Sequence, residues 1–182
     1  GGEFYSGITN NGTMTIKNAL INTEGYNNAI TTGQNSKLDL LENITITSNY
    51  SRTIYANYGI INIYENITIN NTYSSTTEAA GIEIYSATVN ILNNVTIKTN
   101  NGKGIYMKGG TLNLGEKDYP VSKELPSITG STYGIYKESG TFNFYDGIIT
   151  GTENGAISGT VNDTPDVYSV VVSEDGKVAQ LG

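Results

Sequence analysis

The chemistry available to this 182-residue chain lies in carboxylates, amides, hydroxyls and tyrosine rings, because the sequence contains no Cys and no His. Zero Cys excludes disulfides, zinc-thiolate sites and thiol catalysis, and zero His removes the commonest general base and metal ligand. The chain has 10 Lys plus Arg residues against 17 Asp plus Glu, for a formal charge of -7. The few basic residues do not cluster, so binding to nucleic acid is disfavoured.

One set of oxygen-bearing side chains recurs just after a short apolar phrase. Its members are Glu42, Glu65, Asn93, Glu116 and Asp146. If these positions stack, the first four predict a shared calcium site, although calcium needs roughly six to eight oxygens and hence help from backbone and water. The glycine-rich nonapeptide of calcium-binding rolls is absent. The set therefore fits a solvated acidic edge as well as a metal site, and the sequence predicts no other cofactor.

A second set is aromatic and consists of Tyr55, Glu83, Tyr106 and Tyr136, which occupy equivalent places in successive repeats. Sugar rings pack on exposed aromatic faces, so these four residues are the candidate glycan-binding residues. Stacked tyrosines also stabilise parallel strands without any ligand. Both interpretations stay open at the level of the sequence.

Catalysis is not expected from this sequence. Asp39 beside Glu42 is the nearest approach to a pair of carboxylates, which glycosidases require. Arg52 is the single Arg, and the Lys residues that a lyase could use as a base are scattered. Outward Thr and Asn residues, including Asn62 and Asn90, resemble the flat arrays of ice-binding proteins, but Lys37 and Asp39 interrupt them.

Internal repetition is the strongest signal for the fold. One short phrase recurs, in which a small residue precedes two apolar positions that are separated by a polar one. The phrase begins at Gly12, Ser36, Gly59, Ala87, Gly110 and Gly140, in steps of 24, 23, 28, 23 and 30 residues. Loop insertions account for the two longer steps, since a loop can bulge without disturbing stacked strands. A second apolar phrase follows each first one, as at Ile44 and Ile67 and more loosely at Leu20 and Ile148, and a third precedes most of the next starts.

Three short strands per coil predict an all-β, right-handed parallel β-helix of about six coils. Period-two alternation places the flanking apolar residues inside and the middle residue outside. Two inward columns follow: Met14, Leu38, Ile61, Val89, Leu112 and Phe142 form one, and Ile16, Leu40, Ile63, Ile91, Leu114 and Phe144 form the other.

Asn43, Asn66 and Asn94 each precede a second strand, and Gly147 fills that place in the last coil. Asn and Gly are the residues that tolerate left-handed backbone, so a sharp corner is predicted there. The insertion around Glu116 to Pro126 predicts a loop that leaves the fifth coil.

We expect a single domain with a β-helix over residues 1–161 and a capping β-hairpin over residues 162–182. In the hairpin, Val167 to Val172 and Val178 to Leu181 predict strands, and Glu174-Asp175-Gly176 predicts the turn. A cap is needed because a solenoid otherwise exposes unpaired strand edges and an open core.

The chain resembles the β-helix regions of adhesin-like bacterial surface proteins, with the architecture of the pectin-lyase-like superfamily. The resemblance lies in the Gly-Thr-Xaa-Asn phrases at Gly110 and Gly140, the Gly-Ile-Tyr phrases at Gly104 and Gly134, and the ending from Ile157 to Tyr168. It implies an extracellular or cell-surface location, with host or bacterial glycans or surface proteins as partners. No functional residue transfers from the family.

The expected function is a non-catalytic module for adhesion or display. A degenerate carbohydrate-active enzyme, similar to a polysaccharide lyase, and a structural spacer or pilin-like subunit are the alternatives. No apolar run approaches the roughly 18 residues of a membrane span. Because the chain opens with Gly-Gly, we expect it to be an excised segment.

Overall fold

A computed structural model describes residues 7–25, 27–118 and 125–182, and no helix occurs among them. The strands, in chain order, are β1 (Ile8–Asn10), β2 (Thr13–Ile16), β3 (Ala19–Glu24), β4 (Ile30–Thr32), β5 (Lys37–Asn49), β6 (Arg52–Ala56), β7 (Ile60–Asn71), β8 (Ala79–Ile84), β9 (Thr88–Ile91), β10 (Val95–Thr99), β11 (Gly102–Met107), β12 (Thr111–Leu114), β13 (Ser127–Gly130), β14 (Tyr133–Lys137), β15 (Thr141–Phe144), β16 (Ile148–Gly151), β17 (Gly155–Ser158), β18 (Val170–Val172) and β19 (Val178–Leu181).

The strands stack as a parallel β-solenoid of about six coils, which confirms the predicted architecture. The third strands of the coils form a seven-stranded parallel sheet in the order β1-β4-β6-β8-β11-β14-β17. The first and second strands belong together to one twelve-stranded sheet, because β5 and β7 continue around the corner between the two faces. Two of the coils therefore have one long strand where the sequence predicts two short ones.

Both inward columns are confirmed. Leu38, Ile61, Val89, Leu112 and Phe142 lie in register on successive strands, and all are fully buried. In the first coil, Met14 and Ile16 are only partly buried, since they lie at the end of the stack. Each coil thus covers the core of the next, as expected of a solenoid.

The second-strand phrase was predicted incorrectly at two places. Leu20 lies in register with the outward Thr45 and is 77% exposed, while its neighbours Ala19 and Ile21 face inward in register with Ile44 and Ile46. Ile148 is likewise displaced, because the isoleucine of its strand that is buried, in register with Ile128, is Ile149. Hydrophobicity alone misassigns Leu20, since a strand at the end of the stack has fewer neighbours to specify its register.

The corners between first and second strands have the predicted left-handed backbone. Asn43, Asn66 and Asn94 have φ values of 53°, 52° and 54°, and Gly147 has 130°. A side chain with a short amide tolerates this region, and a single such residue turns the chain while the ladder continues.

The C-terminal end is covered by the hairpin of β18 and β19. Strand β19 pairs antiparallel with β16, and Leu181 and Ala179 close the core. Strand β18 starts at Val170 and not at Val167, because the segment from Pro165 to Tyr168 makes a hydrogen-bonded turn. The domain division at residue 161 stays a prediction, and part of the predicted Glu116 to Pro126 loop, including Pro120, lies outside the described residues.

Candidate functional site

The four residues of the predicted aromatic set stack on adjacent strands of the seven-stranded sheet. Tyr55 lies in register with Glu83, Glu83 with Tyr106, and Tyr106 with Tyr136. The rings of Tyr106 and Tyr136 have centroids 5.6 Å apart and planes tilted by 54°. We call these four residues the tyrosine column.

Glu83 interrupts the rings of the tyrosine column with a buried, charge-paired carboxylate. Its side chain is 10% exposed, and its Oε2 accepts a hydrogen bond of 2.9 Å from Nη1 of Arg52. Nζ of Lys108 lies 3.7 Å from the other carboxylate oxygen. Arg52 also covers the Tyr55 ring at 4.0 Å from its centroid. A buried carboxylate needs such partners, and they fix the side chain of Glu83 in place within the column.

Lys103 is a site residue that the sequence analysis missed. The residue is only 7% exposed, and its Nζ lies 4.8 Å from the ring centroid of Tyr106 and 5.3 Å from that of Tyr136. Its Nζ donates a hydrogen bond of 2.7 Å to Oε2 of Glu78. An ammonium group is attracted by the negative potential of aromatic faces, so the buried Lys103 makes cation–π contacts with both rings.

A break in the alternation explains why the column acquires these extra residues. Thr53 and Ile54 are both buried, and so are Gly104 and Ile105, although neighbouring residues in a strand ordinarily face opposite sides. A Cβ on Gly104 would lie 2.5 Å from the backbone oxygen of Gly134, so the chain is closely stacked there. Because two successive residues face inward, the residue three sequence positions before a column residue faces outward. Arg52, Lys103 and Tyr133 reach the outer face in this way.

A pocket of about 240 Å³ opens beside the tyrosine column, and Lys103 forms part of its lining. The Tyr133 ring lies 5.3 Å from the Tyr136 ring, and polar side chains of Thr132 and Asn154 complete one side. Oγ1 of Thr132 is buried and has no hydrogen-bond partner in the described part of the chain. The pocket thus combines aromatic rings with hydrogen-bonding groups that the protein itself does not fully use.

Tyr106 donates a hydrogen bond from its hydroxyl to Oε1 of Glu138, and both residues line the pocket. Burial raises the pKa of Tyr106, and the hydrogen bond to Glu138 raises it further. Both effects favour the neutral phenol. Tyr106 therefore keeps its proton throughout the neutral range, and its hydroxyl holds the Glu138 carboxylate at the pocket.

The predicted calcium ligands are in part paired with protein groups. Glu42 and Glu65 lie in register, but Glu42 makes an ion pair of 2.7 Å with Lys17. Asn93 and Glu116 lie exposed on later coils. Among residues 7–25, 27–118 and 125–182, no group of three or more His, Cys, Asp or Glu residues lies close enough together to hold a metal ion. Calcium binding stays a prediction.

Asp39 belongs to a ladder of side-chain amides along the first face of the solenoid. Asn143 donates to Asn113, Asn113 to Asn90, Asn90 to Asn62 and Asn62 to Asp39, each over 2.8 Å. Nζ of Lys37 lies 3.6 Å from the second oxygen of Asp39. Asp39, which the sequence analysis considered as half of a carboxylate pair, thus has a structural role as the last hydrogen-bond acceptor of the amide ladder.

Fold and site together define the class of this protein as an all-β solenoid repeat protein with a pocket on one aromatic face. No protein-family model matches the sequence, and no curated protein or solved structure matches it either. In the described part of the chain, no helix is long and apolar enough to cross a lipid bilayer.

Proposed function

We propose that this β-solenoid is a non-catalytic bacterial cell-surface module for adhesion or display and that it binds glycans along the tyrosine column. The observation that carries the proposal is the pocket in which the Tyr136 ring lies 5.6 Å from the Tyr106 ring and 5.3 Å from the Tyr133 ring. Partly exposed aromatic rings are the surfaces on which the apolar faces of sugars pack.

The polar groups around the rings support the same function. Glu138 and Asn154 provide an acceptor carboxylate and an amide at the pocket, and sugars carry hydroxyl groups that need such partners. Because Glu138 already accepts from Tyr106 and Glu83 is held between two cations, the binding groups are preorganised. Preorganised groups lose less entropy when a ligand binds.

The structural alternative for the tyrosine column is a stack that only stabilises the strands. The two alternatives differ in their response to removal of a ring, because a ring that contacts sugar contributes to binding and one that only packs contributes to folding. A non-catalytic module is favoured over a degenerate lyase because the candidate acids Asp39 and Glu42 have structural partners in the amide ladder and in Lys17.

The test is a glycan array probed with the intact chain, followed by the variants Tyr136→Ala and Tyr64→Ala. Tyr64 is 36% exposed and lies outside the pocket, so it is the matched control. We expect Tyr136→Ala to weaken binding of the array ligands about tenfold, as loss of one aromatic contact does, and Tyr64→Ala to have no effect. Absence of binding to every glycan on the array would overturn the proposal.

A further inference from the structure

We propose that the pocket at Lys103 selects an acidic sugar, whose carboxylate replaces Glu78 on the Lys103 ammonium. This inference rests on the proposed glycan binding and adds the chemical class of the ligand. It is carried by the incomplete hydrogen bonding of a buried cation.

Lys103 has more hydrogen-bond donors than partners. An ammonium group has three N–H donors, and within residues 7–25, 27–118 and 125–182 Lys103 makes a single hydrogen bond, the one to Glu78. The groups on its other sides are the ring faces of Tyr106 and Tyr136, which attract the charge but offer no oxygen. A side chain that is 9% exposed is shielded from bulk water, so the remaining donors favour an oxygen anion that enters the pocket.

Glu78 is well placed to be displaced by such an anion. Its side chain is 72% exposed, and the residue directly precedes β8 in an irregular segment. An exposed carboxylate can move into water without a desolvation cost, whereas the buried ammonium needs an anionic partner. The Glu78 carboxylate therefore occupies the position that a ligand carboxylate would take, and it is free to leave when one enters.

A second, independent observation is a buried hydroxyl group in the lining of the same pocket. Thr132 is 9% exposed, and its Oγ1 has no hydrogen-bond partner among the residues that the structure describes. Buried hydroxyls ordinarily have one, so Thr132 offers the pocket an unused hydrogen-bonding group. A sugar ring against Tyr133 and Tyr136, with its carboxylate toward Lys103, would place its hydroxyl groups in the same pocket as this group.

The charges around the pocket also fit an acidic ligand. Arg52 and Lys108 are both paired with Glu83, whereas Lys103 depends on Glu78. Displacement of Glu78 by a neutral group would leave the Lys103 charge uncompensated in a partly buried site. Displacement by an anion keeps that charge neutralised.

The experiment compares sugars that differ in one group. The intact chain is titrated with methyl β-D-glucuronide, with methyl β-D-glucoside and with sodium acetate, and binding is followed by NMR. We expect the glucuronide to bind about tenfold more tightly than the glucoside, the effect of one charge-assisted hydrogen bond. Acetate, which lacks the ring, is expected to bind more weakly than either sugar.

Two variants assign the preference to the Lys103–Glu78 pair. Glu78→Gln removes the competing carboxylate on the surface, so it is expected to tighten glucuronide binding several-fold and to raise the glucuronide-to-glucoside ratio of affinities by a similar factor. Glu174→Gln, an exposed change of equal charge on the hairpin, controls for net charge. Lys103→Met is expected to abolish the preference, with Lys98→Met on the exposed face of β10 as its control. Because Lys103 is buried, Glu78→Gln decides the matter if Lys103→Met does not fold.

The outcomes separate the two proposals. Equal affinity for glucuronide and glucoside, or Glu78→Gln without effect on the glucuronide, overturns the acidic-sugar inference and leaves glycan binding in place. Failure of both sugars and of every glycan on the array overturns glycan binding itself.

Discussion

The side-chain amide of Asn62 donates to Oδ1 of Asp39 over 2.8 Å, and this contact ends a run of four equal hydrogen bonds across five coils. Each amide in the run donates in one direction and accepts from the other. Asp39 has no N–H to donate, so its carboxylate is a natural end for the ladder.

The ladder predicts that Asn90→Ala destabilises the protein by about 1–3 kcal/mol, because it removes one donor and one acceptor from partly buried neighbours. Asn22→Ala is the control, since Asn22 is an exposed Asn within β3. Urea denaturation gives both values. Equal losses in the two variants would show that the amide ladder contributes nothing beyond the strand position.

The inward register is tested by two Leu→Ala substitutions. Leu112 is fully buried and Leu20 is 77% exposed, although both lie in strands. We expect Leu112→Ala to cost about 2–5 kcal/mol by creating a cavity, and Leu20→Ala to change the free energy of unfolding by less than about 0.5 kcal/mol. A large loss at Leu20 would contradict the register found for β3.

Close stacking at the third strands predicts that Gly104→Ala is destabilising. The new methyl group would lie 2.5 Å from the backbone oxygen of Gly134, which cannot move without shifting β14. We expect a loss of about 1–3 kcal/mol. A methyl group on Gly12 would meet no atom within 4 Å, so Gly12→Ala is the matched control and should leave the melting temperature nearly unchanged. Tolerance of Gly104→Ala would mean that the coils are farther apart.

The pH dependence of stability is expected to include Asp163. The hydrogen bond from Lys117, at 2.8 Å, and a second from the Tyr145 hydroxyl, at 2.9 Å, hold the pKa of Asp163 below its ordinary value. A lowered folded-state pKa contributes stability above the unfolded-state pKa, and that stability is lost as the pH falls through the folded-state value.

Asp163→Asn should therefore flatten the acid side of the stability profile, below about pH 4, relative to the native chain. The profile is measured as melting temperature against pH, with Glu174→Gln as the control. An unchanged acid limb in Asp163→Asn would show that Lys117 and Tyr145 do not favour the Asp163 carboxylate in solution.

The sequence predicts the columns of the solenoid because identical spacing places identical side chains on neighbouring coils. The inward Leu, Ile and Phe residues, the left-handed corners at Asn43, Asn66 and Asn94, and the alignment of Tyr106 with Tyr136 all follow from that rule.

The presence of Lys103 and Glu78 at the pocket does not follow from the repeated spacing. Lys103 reaches the outer face only because Gly104 and Ile105 both face inward, and strict alternation assigns it to the opposite side. Glu78 belongs to an insertion found in one coil, so no repeated spacing identifies it. A basic residue three positions before two of the four column residues, at Arg52 and Lys103, is the signal that was available in the sequence.

Glycan binding at the tyrosine column is tested most directly by NMR on tyrosine-labelled protein, titrated with the tightest-binding glycan of the array. Tyr106, Tyr133 and Tyr136 line the pocket, whereas Tyr64 and Tyr85 are exposed elsewhere. We predict that the ring signals of the three pocket tyrosines shift with one common affinity while those of Tyr64 and Tyr85 stay fixed. Shifts confined to Tyr64 or Tyr85, or none at saturating glycan, would contradict the assignment of the site.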